Sequence, residues 1–335
     1  MRHSLSVPTR FERNILAFPE QLSINSLNFF DLVKLNKARP DGIVICGMGG
    51  SGIPGTLLQN IAMYANIDLP IVAWKDFGLP HLSFKNPLYI FVSYSGNTAE
   101  TLSGLRLASK AKLKAIVTSG GAMLERAIKE RLPRAVVSTV DMVPRQASGI
   151  LLYGILGILK TIFPKVLAPD FQKTITPEPL AEIGRSLAKK LKDKIVLVYT
   201  STTENHLASI FKIQLTETGK TPTFCNTYPE INHIEIVGFD RKPKGLVSLF
   251  PVSTYETEIT KNIISIDQKI LAMRGITPIT ATIPGTTPLE TALNAIVLAN
   301  WTGYYLAKLH GVDPEKTETI GEIKKILKEH GLSNQ

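Results

Sequence analysis

Short apolar runs alternate with segments whose apolar residues recur at helical spacing, and the alternation continues along the chain. In the first half, strands are expected at about 43–46, 70–74, 88–94, 113–118 and 134–139, with helices near 53–64, 98–111, 122–131 and 146–163. Apolar strands separated by helices imply parallel βαβ units with both faces of the sheet covered. Prolines at 164, 169, 177 and 179 mark the stretch 164–179 as a linker. Beyond it the theme repeats. Lys194–Tyr199 is an apolar strand entering a helix start at Thr200–Thr203, and 245–250 and 278–281 read as further strands. Ala292, Ala295, Ile296, Ala299 and Leu306 place a long helix over about 289–310. The pattern predicts an α/β chain of two doubly wound parallel sheets in two domains, 1–165 and 178–335. The second reads as a degenerate copy of the first, ending in an amphipathic helix with Ile320, Ile323, Ile326 and Leu327 on its apolar face.

Composition narrows the class. A chain of 335 residues holds two ordinary cores, and 44% hydrophobic with 20% charged residues is a globular balance rather than a disordered one. The segment Met1–Leu22 is broken by Arg2, Arg10, Glu12, Arg13 and two prolines and lacks a signal-peptide core. The longest apolar run, Ile150–Leu159, is about half the ~20 residues of a membrane span, so a buried helix is expected and no membrane partner. A net charge of +10 raises nucleic acid as a partner. However, the lysines are scattered, clustering modestly at 189–194 and 324–328 without interleaved aromatics, and an anionic substrate accounts for the charge as well. Cys46 and Cys225 have no metal-type spacing; two buried, reduced thiols and a cytoplasmic setting are expected.

Two loops carry the candidate chemistry. Ser93-Tyr94-Ser95-Gly96-Asn97-Thr98 lies between an apolar strand and a helix, gathering hydroxyls where unpaired backbone N–H groups and the helix dipole favour an anion. Without a lysine it suits a compact phosphate monoester rather than a triphosphate; taken alone it is equally an ordinary helix cap. Gly47-Met48-Gly49-Gly50-Ser51-Gly52 follows the strand Ile43–Cys46 and also precedes a helix. Its spacing resembles a dinucleotide fingerprint, but no acidic residue ends the next strand, although Asp76 is close, and a dinucleotide site has no use for the serine-rich loop.

Together the two loops resemble the sugar isomerase (SIS) domain, and more particularly the bifunctional phosphoglucose/phosphomannose isomerase family. The resemblance continues through Pro144-Arg145, Glu217-Thr218-Gly219-Lys220 and Tyr228–His233 to Lys324. It implies two SIS-type domains and a metal- and cofactor-independent interconversion of glucose 6-phosphate and mannose 6-phosphate with fructose 6-phosphate. Gly50, Ser51, Ser93, Ser95 and Thr98 would hold the phosphate. Glu217 would be the base, Arg145 would face the C1 and C2 oxygens, and His233 with Lys324 would open the ring. The family shares that histidine across a homodimer. Thr317 falls where isomerases of narrower specificity carry glutamine. Read from the residues alone, each has a plainer role: Glu217 as a helix-end carboxylate near Lys220, Arg145 as a surface charge, His233 as a structural histidine, Lys324 as a solvated lysine. This chain departs from the family pattern at Thr216, Thr218 and Ile234. A sugar-phosphate sensor without catalysis is the alternative from another class, yet the 40 or so residues before Gly47 are too poorly patterned for a helix-turn-helix. An amidotransferase-type half would need a glutaminase domain, and none fits.

Overall fold

A computed structural model describes residues 8–138, 141–166, 171–254 and 256–330. The chain opens with helix α1 (Arg10–Leu16) and strand β1 (Leu27–Phe30). Then β2 (Ile43–Cys46), α2 (Gly49–Ile61), β3 (Ile71–Trp74), β4 (Leu88–Ser93), α3 (Ala99–Leu107), β5 (Leu113–Thr118), α4 (Gly121–Lys129), β6 (Arg134–Val137) and α5 (Ser148–Ile162) alternate as expected. Residue 139 of the expected fifth strand and Pro169 of the expected linker lie outside the described residues. The first sheet has the order β1-β6-β5-β4-β2-β3, parallel except for β1, which pairs antiparallel with β6. Because β3 and β4 flank β2 on opposite sides, the winding reverses between β2 and β4. Their register, Cys46 opposite Phe91, brings the glycine loop and the serine loop out side by side at the carboxyl edge, where doubly wound sheets hold ligands.

The second sheet forms from β7 (Ile195–Ser201), β8 (Thr223–Tyr228), β9 (Leu246–Ser253) and β10 (Thr277–Ile283), all parallel in the order β10-β9-β7-β8. Around it lie α6 (Pro177–Leu191), α7 (Asn205–Ile213), α8 (Glu258–Met273), α9 (Pro288–His310) and α10 (Glu318–Glu329). One apolar core runs through both sheets, joining Ile43, Ile90 and Leu152 to Val198, Phe211 and Leu298. The run 150–159 is the buried helix expected of it, and among the described residues no helix is long and apolar enough to cross a membrane.

Three expectations are corrected. The linker ends earlier: Pro177 and Pro179 start α6, where a missing N–H costs no helical bond. Helix α2 begins at Gly49, four residues before the expected Ile53, so the glycine segment is itself the first helical turn. Cys46 is buried, with its thiol pushed up to about 12 by burial, but Cys225 is exposed. It sits on β8, an edge strand that also exposes Phe224, and that polar, half-solvated strand escaped the hydrophobic pattern.

Candidate active site

Gly50 makes the first turn of α2 possible in this place. A side chain there would put its Cβ 2.5 Å from the Arg145 Cα. Further along α2, Pro54 has no N–H for the Gly50 carbonyl, and the Ser148 hydroxyl donates to that carbonyl instead, at 3.3 Å. The helix start is thereby fastened to the turn Pro144–Gln146 that carries Arg145.

Beside it, backbone N–H groups hold the hydroxyl oxygens of the serine loop. Ser51 Oγ accepts from the Tyr94 N–H at 3.1 Å, which joins the two loops. Ser93 Oγ accepts from the Gly96 N–H at 3.0 Å and Ser95 Oγ from the Asn97 N–H at 3.3 Å. With their oxygens engaged by backbone donors, Ser51 and Ser95 each keep a hydroxyl proton to donate, while Ser93 and Thr98 share one hydrogen bond between their hydroxyls. Thr98 occupies the cap position of α3 but makes no capping bond; its hydroxyl pairs with Ser93 Oγ at 2.9 Å. Thr98 therefore does not act as an ordinary side-chain cap of α3. Gly96, at φ 68°, is required by packing as well, since a Cβ there would overlap the Gly120 carbonyl oxygen at 1.7 Å.

From the second sheet comes the carboxylate. Helix α7 runs into a five-residue π-helical segment, Gln214–Thr218, a form frequent at functional sites, and Glu217 lies within it. Lys220, at φ 52°, turns the chain sharply after it and donates through Nζ to the carbonyls of Glu217 and Lys316, the latter at 2.6 Å. Glu217 Oε1 lies 3.8 Å from where a Cβ on Gly49 would sit, so the carboxylate reaches over the glycine loop. Arg145, only 3% exposed, brings Nη1 to 3.6 Å from Glu217 Oε2. Burial raises the Glu217 pKa, and Arg145, Lys220 and Lys324 oppose that rise.

Thr317 sits at the start of α10 and lines, with Thr216, Glu217, Lys220, Glu318, Thr319 and Ile320, a cleft of about 240 Å³. Lys324 is exposed on α10, within electrostatic reach of Glu217. So the fold gathers Gly50, Ser51, Arg145, Glu217, Thr317 and Lys324 along one seam between the sheets. His233 is different: it is exposed on the turn after β8, and the cations acting on Glu217 do not include it. Sequence reasoning missed Gln214, whose Nε2 donates to the Arg145 carbonyl at 2.9 Å, and the main-chain carbonyl of Pro314, which accepts from Arg145 Nη2. The available signal was Gln214 preceding Thr218 by one helical turn on the face beside Glu217.

Residues 181–327 match the model described as "Bacterial phospho-glucose isomerase C-terminal SIS domain". The bifunctional phosphoglucose/phosphomannose isomerase of Aquifex aeolicus is 32% identical over 294 residues, covering 86% of this chain and 91% of that protein. This chain belongs to the bifunctional phosphoglucose/phosphomannose isomerase family. The namesake from Caldicellulosiruptor bescii is 31% identical, covering 86% of this chain and 90% of its own. Among solved structures, the C-terminal domain of glucosamine-fructose-6-phosphate aminotransferase from Francisella tularensis matches with a TM-score of 0.70 at 14% identity. That match covers 94% of this chain and 100% of the other, and at such identity it speaks for the fold alone. Thr216 and Thr218 flank Glu217 in this chain, and Thr218 Oγ1 accepts from Arg145 Nε at 2.7 Å.

Proposed function

We propose that this chain interconverts glucose 6-phosphate and mannose 6-phosphate with fructose 6-phosphate, using Glu217 as the base. The observation that carries the reading is the approach of the half-buried Glu217 carboxylate and the Arg145 guanidinium to the start of the glycine loop. In this reading the phosphate is held by the hydroxyls of Ser51, Ser93, Ser95 and Thr98 and by N–H groups at the start of α2, including that of Gly50. Fixing the distant phosphate orients the reacting end, which offers little binding surface of its own. Lys324 and His233 assist ring opening. Glu217 then takes the proton from C2 of the aldose and returns it at C1, and Arg145 offsets the negative charge that develops on the two oxygens of the cis-enediolate.

His233 completes the site from a second copy of the chain. Its exposure on the turn after β8, next to the exposed apolar side chains of Ile234 and Val237, supports a homodimer. The division into domains 1–165 and 178–335, and a cytoplasmic setting, go with this reading.

The test is a coupled assay with all three hexose phosphates on wild type and Glu217→Gln. Wild type should turn over each of them and leave the free sugars untouched. Glu217→Gln should bind substrate normally and lose about 10²–10⁴-fold in kcat. Near-normal turnover by this variant ends the assignment of the base. Mixing Glu217→Gln with His233→Ala should restore part of the activity through hybrid dimers, whereas an inactive mixture places both groups within one chain.

A further inference from the structure

Arg145 and Glu217 stand 3.6 Å apart, although a buried arginine beside a carboxylate ordinarily closes to 2.7–2.9 Å and forms two parallel bonds. The reason lies on the other side of the guanidinium. Arg145 Nε donates to Thr218 Oγ1 at 2.7 Å, and Thr218 Oγ1 donates to Gln214 Oε1 at 3.0 Å. Gln214 Nε2 then donates to the Arg145 main-chain carbonyl at 2.9 Å. The three residues form a closed ring of hydrogen bonds and are all buried, with Gln214 and Thr218 at 0% exposure. Outside the ring, Arg145 Nη2 donates to the Pro314 carbonyl, and the Phe11 ring lies 5.9 Å from Cζ.

We propose that Thr218 and Gln214 are positioning residues that hold the Arg145 guanidinium off the Glu217 carboxylate, leaving that carboxylate able to act as a base. The proposal rests on Glu217 being the base. An arginine free to pair with Glu217 would stabilise its ionised form and weaken its hold on a proton. Pinned through Nε and Nη2, Arg145 keeps Nη1 turned toward the site, where it can meet the substrate oxygens without quenching the base. The other charges on this pair do not explain the separation. Lys220 and Lys324 also act on Glu217, from the turn after it and from α10, while Glu315 and Asp313 act on Arg145 less than Glu217 does. Glu315 is itself engaged by Arg10 Nε at 3.0 Å. Thr218 also explains how this chain tolerates its departure from the family pattern: the threonine hydroxyl both accepts and donates within the ring.

The test compares Thr218→Val, which keeps the shape and loses the hydroxyl, with Thr218→Ser, which keeps it. The readout is the pH dependence of turnover on fructose 6-phosphate; substrate ionisation cancels because all variants use the same substrate. Thr218→Val should lose ~10-fold in kcat with little change in KM, and its acid limb should move to lower pH by about one unit. Thr218→Ser should restore both. Gln214→Leu should move the limb in the same direction, and it supplies the answer if the valine variant does not fold. An acid limb that stays in place or moves to higher pH in the folded variants overturns the proposal, even if kcat falls. If instead Glu217→Gln keeps its activity, the base assignment is what fails, and the two failures are told apart.

Discussion

Single side chains divide the work between holding and reacting, and they should fail differently. Ser95 is exposed, and among the described residues its oxygen accepts from the Asn97 N–H. Ser95→Ala should therefore raise KM by the equivalent of about 1–3 kcal/mol for a lost charge-assisted bond and leave kcat nearly alone. An unchanged KM for hexose phosphates would return the loop to a purely structural role. As the proposed base, Glu217 would work only when deprotonated. Because burial raises its pKa, turnover should fall on the acid side at a pH above that of an ordinary glutamate, a limb absent from ligand binding. Thr317 is the residue proposed to set specificity. Both aldoses share one enediolate, and a short side chain on the cleft leaves room for rotation about C2–C3. Thr317→Gln should lose the mannose 6-phosphate reaction by ~10–200-fold relative to glucose 6-phosphate, and equal losses on both would make it a packing residue. At this scale the sequence was legible where chemistry is local, as in the two loops. Arg145 came only through the family resemblance, its plain reading being a surface charge, because its burial depends on Thr218, 73 residues away, and on Gln214, 69 residues away.

Elements that are apolar and periodic followed the sequence closely: β2, β4, β5, α5 and α9 all lie within a few residues of expectation. Those missed include two amphipathic helices, α6 and α8, and two strands that are short or edge-placed. The strand β1 has four residues, and β8 leaves Phe224 and Cys225 exposed, so neither carries an alternating or continuous apolar signature. The second sheet repeats the reversal of winding, now between β7 and β9, but what stands at its carboxyl edge is the opposite of an anion cradle. There Ser201 donates to Glu256 at 2.9 Å, and Ser253 to Glu204 at 2.5 Å. Burial first, and then the neighbouring Glu256, push the Glu204 pKa up to about 8. Its folded pKa thus exceeds the unfolded value of 4.5, so the native state holds the extra proton between those values. Stability should decline as pH rises from about 4.5 toward 8, and Glu204→Gln should flatten that slope. At pH 9 the variant should be more stable than wild type by about 1–3 kcal/mol in urea melts; equal stability there would mean the pair is relieved by solvent.

The molecule as a whole places its proposed site on the seam of its two sheets, with Arg145 and the glycine loop on one side and Glu217 and the start of α10 on the other. Helix α10 buries none of its residues, so it adds little to the core. Ending the chain after Lys316 should therefore leave a folded protein, with Tm within about 2–4 °C of the full chain, that has lost ~10²-fold or more in turnover. A large loss of Tm would show instead that α10 supports the fold. The contact between Arg145 and the Pro314 carbonyl spans 169 residues. During synthesis both sheets therefore leave the ribosome before the pocket can close. A product cut short, or one whose halves have docked badly, can look folded and still have no working centre. In such a chain, turnover is itself a certificate of complete synthesis and correct assembly.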